Sequence, residues 1–299
     1  MKHDRQFDPA YGNAIEISDG IRRLTAPNPS PFTFHGTNTY LVGQDSITVI
    51  DPGPDSPEHI DTILKVIGGV RVETILVSHT HLDHSPGARL LQAKTGAPIV
   101  GCAAYRPARD LGAGEKNPMD ASSDRDYKPD LQLEDGSLHK TSGADFEVIE
   151  TPGHTDNHLC FALKGSPFLF SADHVMAWST SIVAPPDGSM RSYMASLDRL
   201  LARQETIYLP GHGGLVRDAH DYVADLKAHR LQREASILDQ LSTEPISIPN
   251  LVLRIYHGLD PALRPAAALS VFAHLEDLAT RKLVVADPEV RLEANYRRA

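Results

Sequence analysis

Several things are scarce in this 299-residue chain, and each scarcity removes a class of protein. There are two cysteines, Cys102 and Cys160, and no Cys-x-x-Cys spacing. Neither a disulfide framework nor a cysteine zinc site is available, and both thiols, set in apolar stretches, read as small buried hydrophobes. Positive charge is short as well: 29 Lys and Arg against 39 Asp and Glu leave a net charge of −10. That is the wrong sign for a protein that binds nucleic acid by bulk charge. No apolar run approaches the roughly 18 residues that a membrane-spanning helix needs, and residues 1–13 carry no apolar signal core. A soluble, cytoplasmic chain with no membrane partner is the expectation. Aromatic residues make up 6% of the chain, without the interleaving of basic and aromatic residues expected of a base-stacking groove. At 41% hydrophobic and 23% charged, composition stays globular and excludes disordered, collagenous and coiled-coil proteins.

What is there divides into strands, helices and one change of character. Short strands are expected at 14–17, 21–25, 39–42 and 47–50, the last running into Asp51-Pro-Gly-Pro, then a helix at 58–67. The unbroken apolar run Thr74 to Ser78 reads as a strand buried on both faces. A short helix at 90–94 and a strand at 99–102 follow. Residues 106–130 have no period and form a long loop, either a lid or a disordered stretch. Strands at 146–150, 158–163, 168–171 and 207–209, with helices at 190–202 and 218–241, complete an α/β domain over residues 1–240. Beyond it, residues 241–299 read as a short helix at 248–257, a longer one at 265–281, and a hairpin with strands at 282–285 and 290–294. That is the order of a winged-helix-like module. After Glu244, seven basic residues from Arg254 to Arg298 face six acids, so this end is more basic than the rest.

The chemistry is in the 15 histidines, many of them beside Asp or Gly in turn-like sequence. His79-Thr-His81-Leu-Asp83-His84 follows the buried strand directly. Imidazole and carboxylate suit zinc, and a strand end followed by a turn lets such side chains converge where helical spacing would not. Three more candidates sit in similar places: His154 in Thr151-Pro-Gly-His, Asp173 at the end of Phe168-Leu-Phe-Ser-Ala-Asp, and His212 in Leu209-Pro-Gly-His-Gly. Each follows an apolar strand, and a preceding Pro-Gly fixes the chain direction at two of them. Five His and two Asp are enough for two metal ions sharing a bridging carboxylate.

This ordered set resembles the metallo-beta-lactamase-fold superfamily of dinuclear hydrolases, over about residues 36–213. The resemblance implies an αββα sandwich with His79, His81 and His154 on a first ion, Asp83, His84 and His212 on a second, and Asp173 between them. The complete set is more similar to glyoxalase II and ribonuclease Z than to true beta-lactamases. Ala26-Pro-Asn-Pro-Ser-Pro-Phe, Gly36-Thr-Asn-Thr-Tyr-Leu-Val and the C-terminal helix-helix-hairpin are similar to the beta-lactamase-like protein 2 group, which includes single-strand-specific endoribonucleases. Two departures stand out. Ala172 occupies a place where Gly commonly precedes the bridging Asp, and residues 178–188 do not map onto a nuclease element of that group.

The implied activity is metal-dependent hydrolysis with two divalent cations, zinc or else iron or manganese. A pair about 3.5 to 4 Å apart lowers the pKa of a shared water from 15.7 to near 7, and Asp83 orients its proton. Two substrate classes follow. Single-stranded RNA is favoured by the resemblance and the tail; a small ester, thioester, lactone or lactam is favoured by the acidic charge. His158 is a candidate leaving-group proton donor, with a bonded core histidine as the alternative. His35, Asn38 and residues 179–181 read as turn or edge residues near the cleft. His174, His220, His229, His257 and His274 read as helix or surface positions, and Gly213-Gly214 as a tight turn.

Overall fold

A computed structural model of the chain describes residues 2–299. Its first sheet contains β1 (Ile15–Ser18), β2 (Ile21–Thr25), β3 (Asn38–Val42), β4 (Ser46–Ile50), β5 (Arg71–Val77), β6 (Ile99–Gly101) and β7 (Leu131–Gln132), in that order. Pairing is antiparallel up to β4 and parallel from there to β7. The second sheet runs β13-β12-β11-β10-β9-β8, made of β8 (Leu138–Lys140), β9 (Asp145–Glu150), β10 (Leu159–Leu163), β11 (Phe168–Ala172), β12 (Ile207–Pro210) and β13 (Val216–Arg217). The short strands β7, β8 and β13 were not legible in the sequence.

Alternation along the second sheet separates two interiors. Phe146, Val148, Phe161, Phe170 and Leu209 join the core that also holds Leu41, Val49 and Leu76 of the first sheet. Their neighbours Cys160, Leu169 and Tyr208 face the other way, onto α3 (Met190–Leu201) and α4 (Ala219–Gln240). The period-two reversal of side chains makes this division automatic. On the far side of the first sheet lie α1 (Pro57–Ile67) and α2 (Gly87–Thr95), which bury Ile60, Ile63 and Leu91. The layers therefore run helix, sheet, sheet, helix. Local chemistry sets the helix ends: the Ser56 side chain accepts from the His59 N–H ahead of α1, and Gly68 ends that helix in the left-handed region, which Gly enters at little cost.

The C-terminal module has its own core, built by α5 (Ile248–Ile255), α6 (Arg264–Thr280) and a three-stranded sheet of β14 (Ile246–Ser247), β16 (Asn295–Arg298) and β15 (Val284–Asp287). The second hairpin strand lies further along the chain than the expected 290–294. Tyr296 explains the shift. Its ring is fully buried and its hydroxyl donates to the Arg291 carbonyl, whereas Val290 is exposed. The large aromatic burial outweighs the small apolar run. Residues 106–130 contain only one helical turn, at 120–122, yet they are tied down. Tyr105 and Asn117 bond to Asp187, and Arg109 bonds to Glu115 and Glu276. The disordered reading of this loop is not what the structure shows. Among the described residues no helix is long and apolar enough to cross a membrane.

His174 corrects the expectation of a helix or surface position, since it lies in the turn after β11. His274 lies on α6 as expected, but both side chains are buried. Burial, helped by nearby Arg230 and Arg233, pushes the His274 pKa down to about 3. The unfolded chain takes up this proton near pH 6.5 and the folded chain does not. Stability is therefore lost as pH falls from about 6.5 toward 3, by up to about 1.4 kcal/mol per pH unit. A His274→Leu variant should lose this increment of acid sensitivity. Urea titrations of both proteins between pH 7 and pH 4 check it, and parallel stability curves would contradict it.

Candidate metal centre

The seven singled-out residues converge on one rim, where the parallel strands end and the chain turns. His79, His81, Asp83 and His84 follow β5, Asp173 follows β11, His212 follows β12, and His154 lies in the turn between β9 and β10. His79 Nε2 and His154 Nε2 lie 3.1 and 3.0 Å from His81 Nδ1. A second set forms beside it: His84 Nε2 and His212 Nε2 are 3.3 Å apart, with Asp83 Oδ2 3.4 and 3.2 Å from them. Asp173 reaches both sets, its Oδ2 lying 3.6 Å from His154 and 3.3 Å from His212, and its Oδ1 3.4 Å from His84.

Hydrogen bonds behind the rings decide what these atoms present. The outer Nδ1 atoms of His154 and His212 face the carbonyls of Ile182 and Gly36, at 2.7 and 3.1 Å, and His84 Nδ1 faces Asp51 Oδ2 at 3.0 Å. Carbonyls and carboxylates only accept, so each Nδ1 carries a hydrogen and each Nε2 points inward, where it can offer a lone pair to a cation. His79 follows the same logic: Ser78 donates its hydroxyl hydrogen to Asp51, so its oxygen accepts from His79 Nδ1. Lone pairs facing one another at about hydrogen-bond distance, with Asp173 Oδ1 buried and accepting no hydrogen bond, fit a bound cation and little else. The donors form groups that can each hold a metal ion: His79, His81, His154 and Asp173 in one, Asp83, His84 and His212 in another. Electrostatics agree. Burial and neighbouring His154 hold His81 down to about 3. Burial also opposes a charge on His212, but the Asp173 and Asp83 carboxylates outweigh it and push that ring up to about 9. Without a cation the second set therefore takes up a proton in its place, on the Nε2 that would otherwise offer a lone pair.

Backbone geometry explains the small residues around the donors. A Cβ at Gly211 would fall 2.5 Å from Asp173 Oδ1 and 2.6 Å from His84 Cε1, so only glycine fits between them. Ala172 takes a left-handed φ of 41°. That is the conformation glycine adopts freely and alanine enters at roughly 1 kcal/mol, which gives a physical reason for glycine being common at this place, and none for alanine here. Asn38 donates to the carbonyls of Pro210 and Gly213 and clamps the His212 turn, while Thr37 donates to Asp83 Oδ2. Gly213 makes the expected tight turn at a φ of 76°. Residues 178–188 are a buttress: the Ile182 carbonyl and Ser181 hydroxyl contact His154 Nδ1, and Trp178 stacks on Phe34. His35 packs edge-on against Phe34.

His158 sits behind Asp173 and does not face the cavity. Its Nε2 accepts the Asp173 backbone N–H at 3.3 Å, so its Nδ1 donates to Thr151 at 2.8 Å. Burial, reinforced by His174, holds its pKa well below the usual imidazole range. A neutral ring with both nitrogens engaged has no proton to give. Asp51 was missed by sequence reasoning. It accepts from the Ser78 backbone and hydroxyl and from His84, orienting ligands of both sets. The signal was available: Asp51-Pro-Gly is an acid at a strand end followed by Pro-Gly, the same punctuation that marked His154 and His212.

The donors open onto a cavity of about 90 Å³, walled on the apolar side by Phe32, Met119, Met176 and Ile182. Compared with known proteins, residues 32–212 match the family described as the metallo-beta-lactamase superfamily. The chain belongs to that superfamily. Its members are metal-dependent hydrolases, and so is this enzyme. Residues 247–291 match the beta-lactamase associated winged helix domain. A beta-lactamase-like protein 2 homolog from Caenorhabditis elegans is 30% identical, over 88% of this chain and 85% of that one. An atrochrysone carboxyl ACP thioesterase from Cryptosporiopsis is 28% identical, over 78% and 66%. A beta-lactamase domain protein from Burkholderia ambifaria shares the fold with a TM-score of 0.78 at 22% identity, covering 99% of this chain and 96% of that one.

Because Asp51 fixes the rings from behind, Asp51→Ala should weaken metal binding about 10- to 100-fold with the seven donors intact. Gly211→Ala should also lose metal, by displacing Asp173. Chelator competition against the unaltered protein measures both, and unchanged affinity in either variant would contradict this account of the rim.

Proposed function

We propose that this hydrolase, with a catalytic domain over residues 1–240 and a winged-helix module over 241–299, works with two divalent cations. The observation that carries the reading is the pair of inward-facing donor sets that share Asp173. His79, His81 and His154 would hold one ion, Asp83, His84 and His212 the other, and Asp173 both. Zinc suits these ligands, as do iron and manganese. When bound, such a pair supplies a water that ionises near neutral pH and an electrophilic hold on the oxygen of the group under attack.

The chain's own residues do the rest. Asp83 has the most exposed side chain of the set, 25% accessible, and is placed to orient the proton of a water at the cavity mouth. Thr37 keeps its Oδ2 aligned. His158 serves as a positioning residue that fixes the Asp173 backbone, in place of the proton-donor role expected from sequence. Phe32, Met119 and Ile182 exclude bulk water.

For the substrate, the structure favours a small ester, thioester or lactone over single-stranded RNA. No Lys or Arg lines the cavity. The second helix of a helix-turn-helix unit is the one that enters a nucleic-acid groove, but α6 here packs against the catalytic domain. Its Ala273 lies in the core beneath α3, and its Asp277 pairs with Arg191. Two of the tail's seven basic residues are also occupied: Arg281 pairs with Glu234 and Asp277, and Arg291 with Glu289.

Protein loaded with zinc, iron or manganese should hold two ions per chain by elemental analysis and hydrolyse a model thioester. Asp173→Ala should abolish turnover, and Cys102→Ser should not. Saturation at one ion would overturn the paired centre. Cleavage of single-stranded RNA with no thioester hydrolysis would overturn the choice of substrate.

A further inference from the structure

Next to the metal cavity lies a larger groove of about 690 Å³, within the size range of small-molecule sites. It is continuous with the metal centre, because Phe32, Met119, Ser122 and Ile182 line both. The opposite wall comes entirely from the C-terminal module: Ile248 and Pro249 of α5, Ala268 and Leu269 of α6, and Leu292. Glu293 is the one ionisable residue that lines it. A phosphodiester backbone would find no cationic partner along this surface, whereas hydrocarbon would lose its contact with water. Phe32, 54% exposed, stands at the junction of groove and cavity.

We infer that this groove is the acyl pocket of the enzyme. The substrate carries an apolar acyl chain that lies between α6 and the 118–122 segment, with its carbonyl carbon at the metal centre. The winged-helix module is thereby one wall of the substrate site. This assignment rests on the ester or thioester reading above. In the reaction the oxygen of water bonds to the acyl carbon, the C–S bond breaks, and a proton from water ends on the departing sulfur. The donor sets act on the carbonyl, which all such substrates share, and the groove selects among them by chain. Each methylene buried there raises kcat/KM by up to about fourfold, until the groove is full.

The test uses the full-length, metal-loaded protein and a series of N-acetylcysteamine thioesters from acetyl to dodecanoyl. kcat/KM should climb with chain length, mainly through KM. Ala268→Trp fills the groove, and should lower the ratio of decanoyl to acetyl kcat/KM at least tenfold. Leu269→Ala enlarges it, and should shift the optimum to longer chains; a thermal melt confirms that each variant folds. As a readout independent of turnover, calorimetry with dodecanoate, the product carboxylate, should show binding with a negative heat-capacity change, weakened at least tenfold by Ala268→Trp. If all chain lengths are hydrolysed alike and neither variant moves the ratio, the pocket assignment is overturned while the hydrolase reading stands. If no thioester is cleaved by protein holding two ions, the substrate reading falls, and dodecanoate binding alone then decides the groove. Binding lost in Ala268→Trp supports it, and no binding overturns it.

Discussion

Five imidazoles and two carboxylates aim their lone pairs into one small space, and the rest of the molecule is organised around keeping them there. Such an arrangement has no internal reason to persist, since lone pairs facing each other at about 3 Å share no hydrogen and repel. It persists because four of the rings are held from behind by an acceptor that fixes the tautomer: Asp51 for His84, Ile182 for His154, Gly36 for His212 and Ser78 for His79. These acceptors lie on four different loops, which only a stiff double sheet can hold in mutual register. The strain follows from the same demand. Asp51 and Ala172 both take left-handed φ values, at the two points where a strand must turn sharply to present a carboxylate. Such costs are tolerated where surrounding structure over-determines the conformation, as it does here on both sides of the rim.

What could be read in the sequence, and what could not, divides along the distance over which each residue acts. The donors were legible because a strand end, a Pro-Gly and a ligand-type side chain are neighbours in the chain. Asp51 was passed over, since its partners Ser78 and His84 are 27 and 33 residues away and its one local mark, a strand end with Pro-Gly after it instead of before it, also suits a turn aspartate. The strands of the two sheets were visible through apolar runs, while β7, β8 and β13, only two or three residues each, have too little pattern to register. The wing strand was misplaced because Val290 fits the local alternation better than Tyr296 does, and only the tertiary core reveals which side chain is buried. His174 and His274 escaped for the opposite reason: histidine is intermediate in burial preference, so its type says little about where it lies.

The C-terminal module shows why architecture alone does not assign a role. Its order of helices and hairpin is that of a nucleic-acid reader, and its composition is mildly basic. In place, however, α6 is a packing helix. Its inward face is spent on the module core through Val271, Phe272, Leu275 and Leu278, Ala273 is spent on the catalytic domain, and the pairs Arg109–Glu276 and Arg191–Asp277 close the margins. On these sides the helix is engaged with protein. The apolar residues near its start, Ala268 and Leu269, are left facing the catalytic domain across the larger groove.

This placement divides the labour of the enzyme between parts of different rigidity. The metal end is built from residues at the ends of buried strands, whose positions are set by pairing across both sheets. The groove end is built from α5, α6 and a loop without regular structure. The two ends stay in register through α4, which contributes Val223 and Leu226 to the catalytic core and Ile237 to the module core, so one helix belongs to both. Change at the groove wall is buffered from the donors by that division: a new side chain on α6 meets the 118–122 segment before it meets any of the seven donors. If the groove is the acyl pocket inferred above, substitutions on α5 and α6 can change the accepted chain, while the seven donors and the Asp51 network, each fixed by more than one constraint, have no comparable freedom.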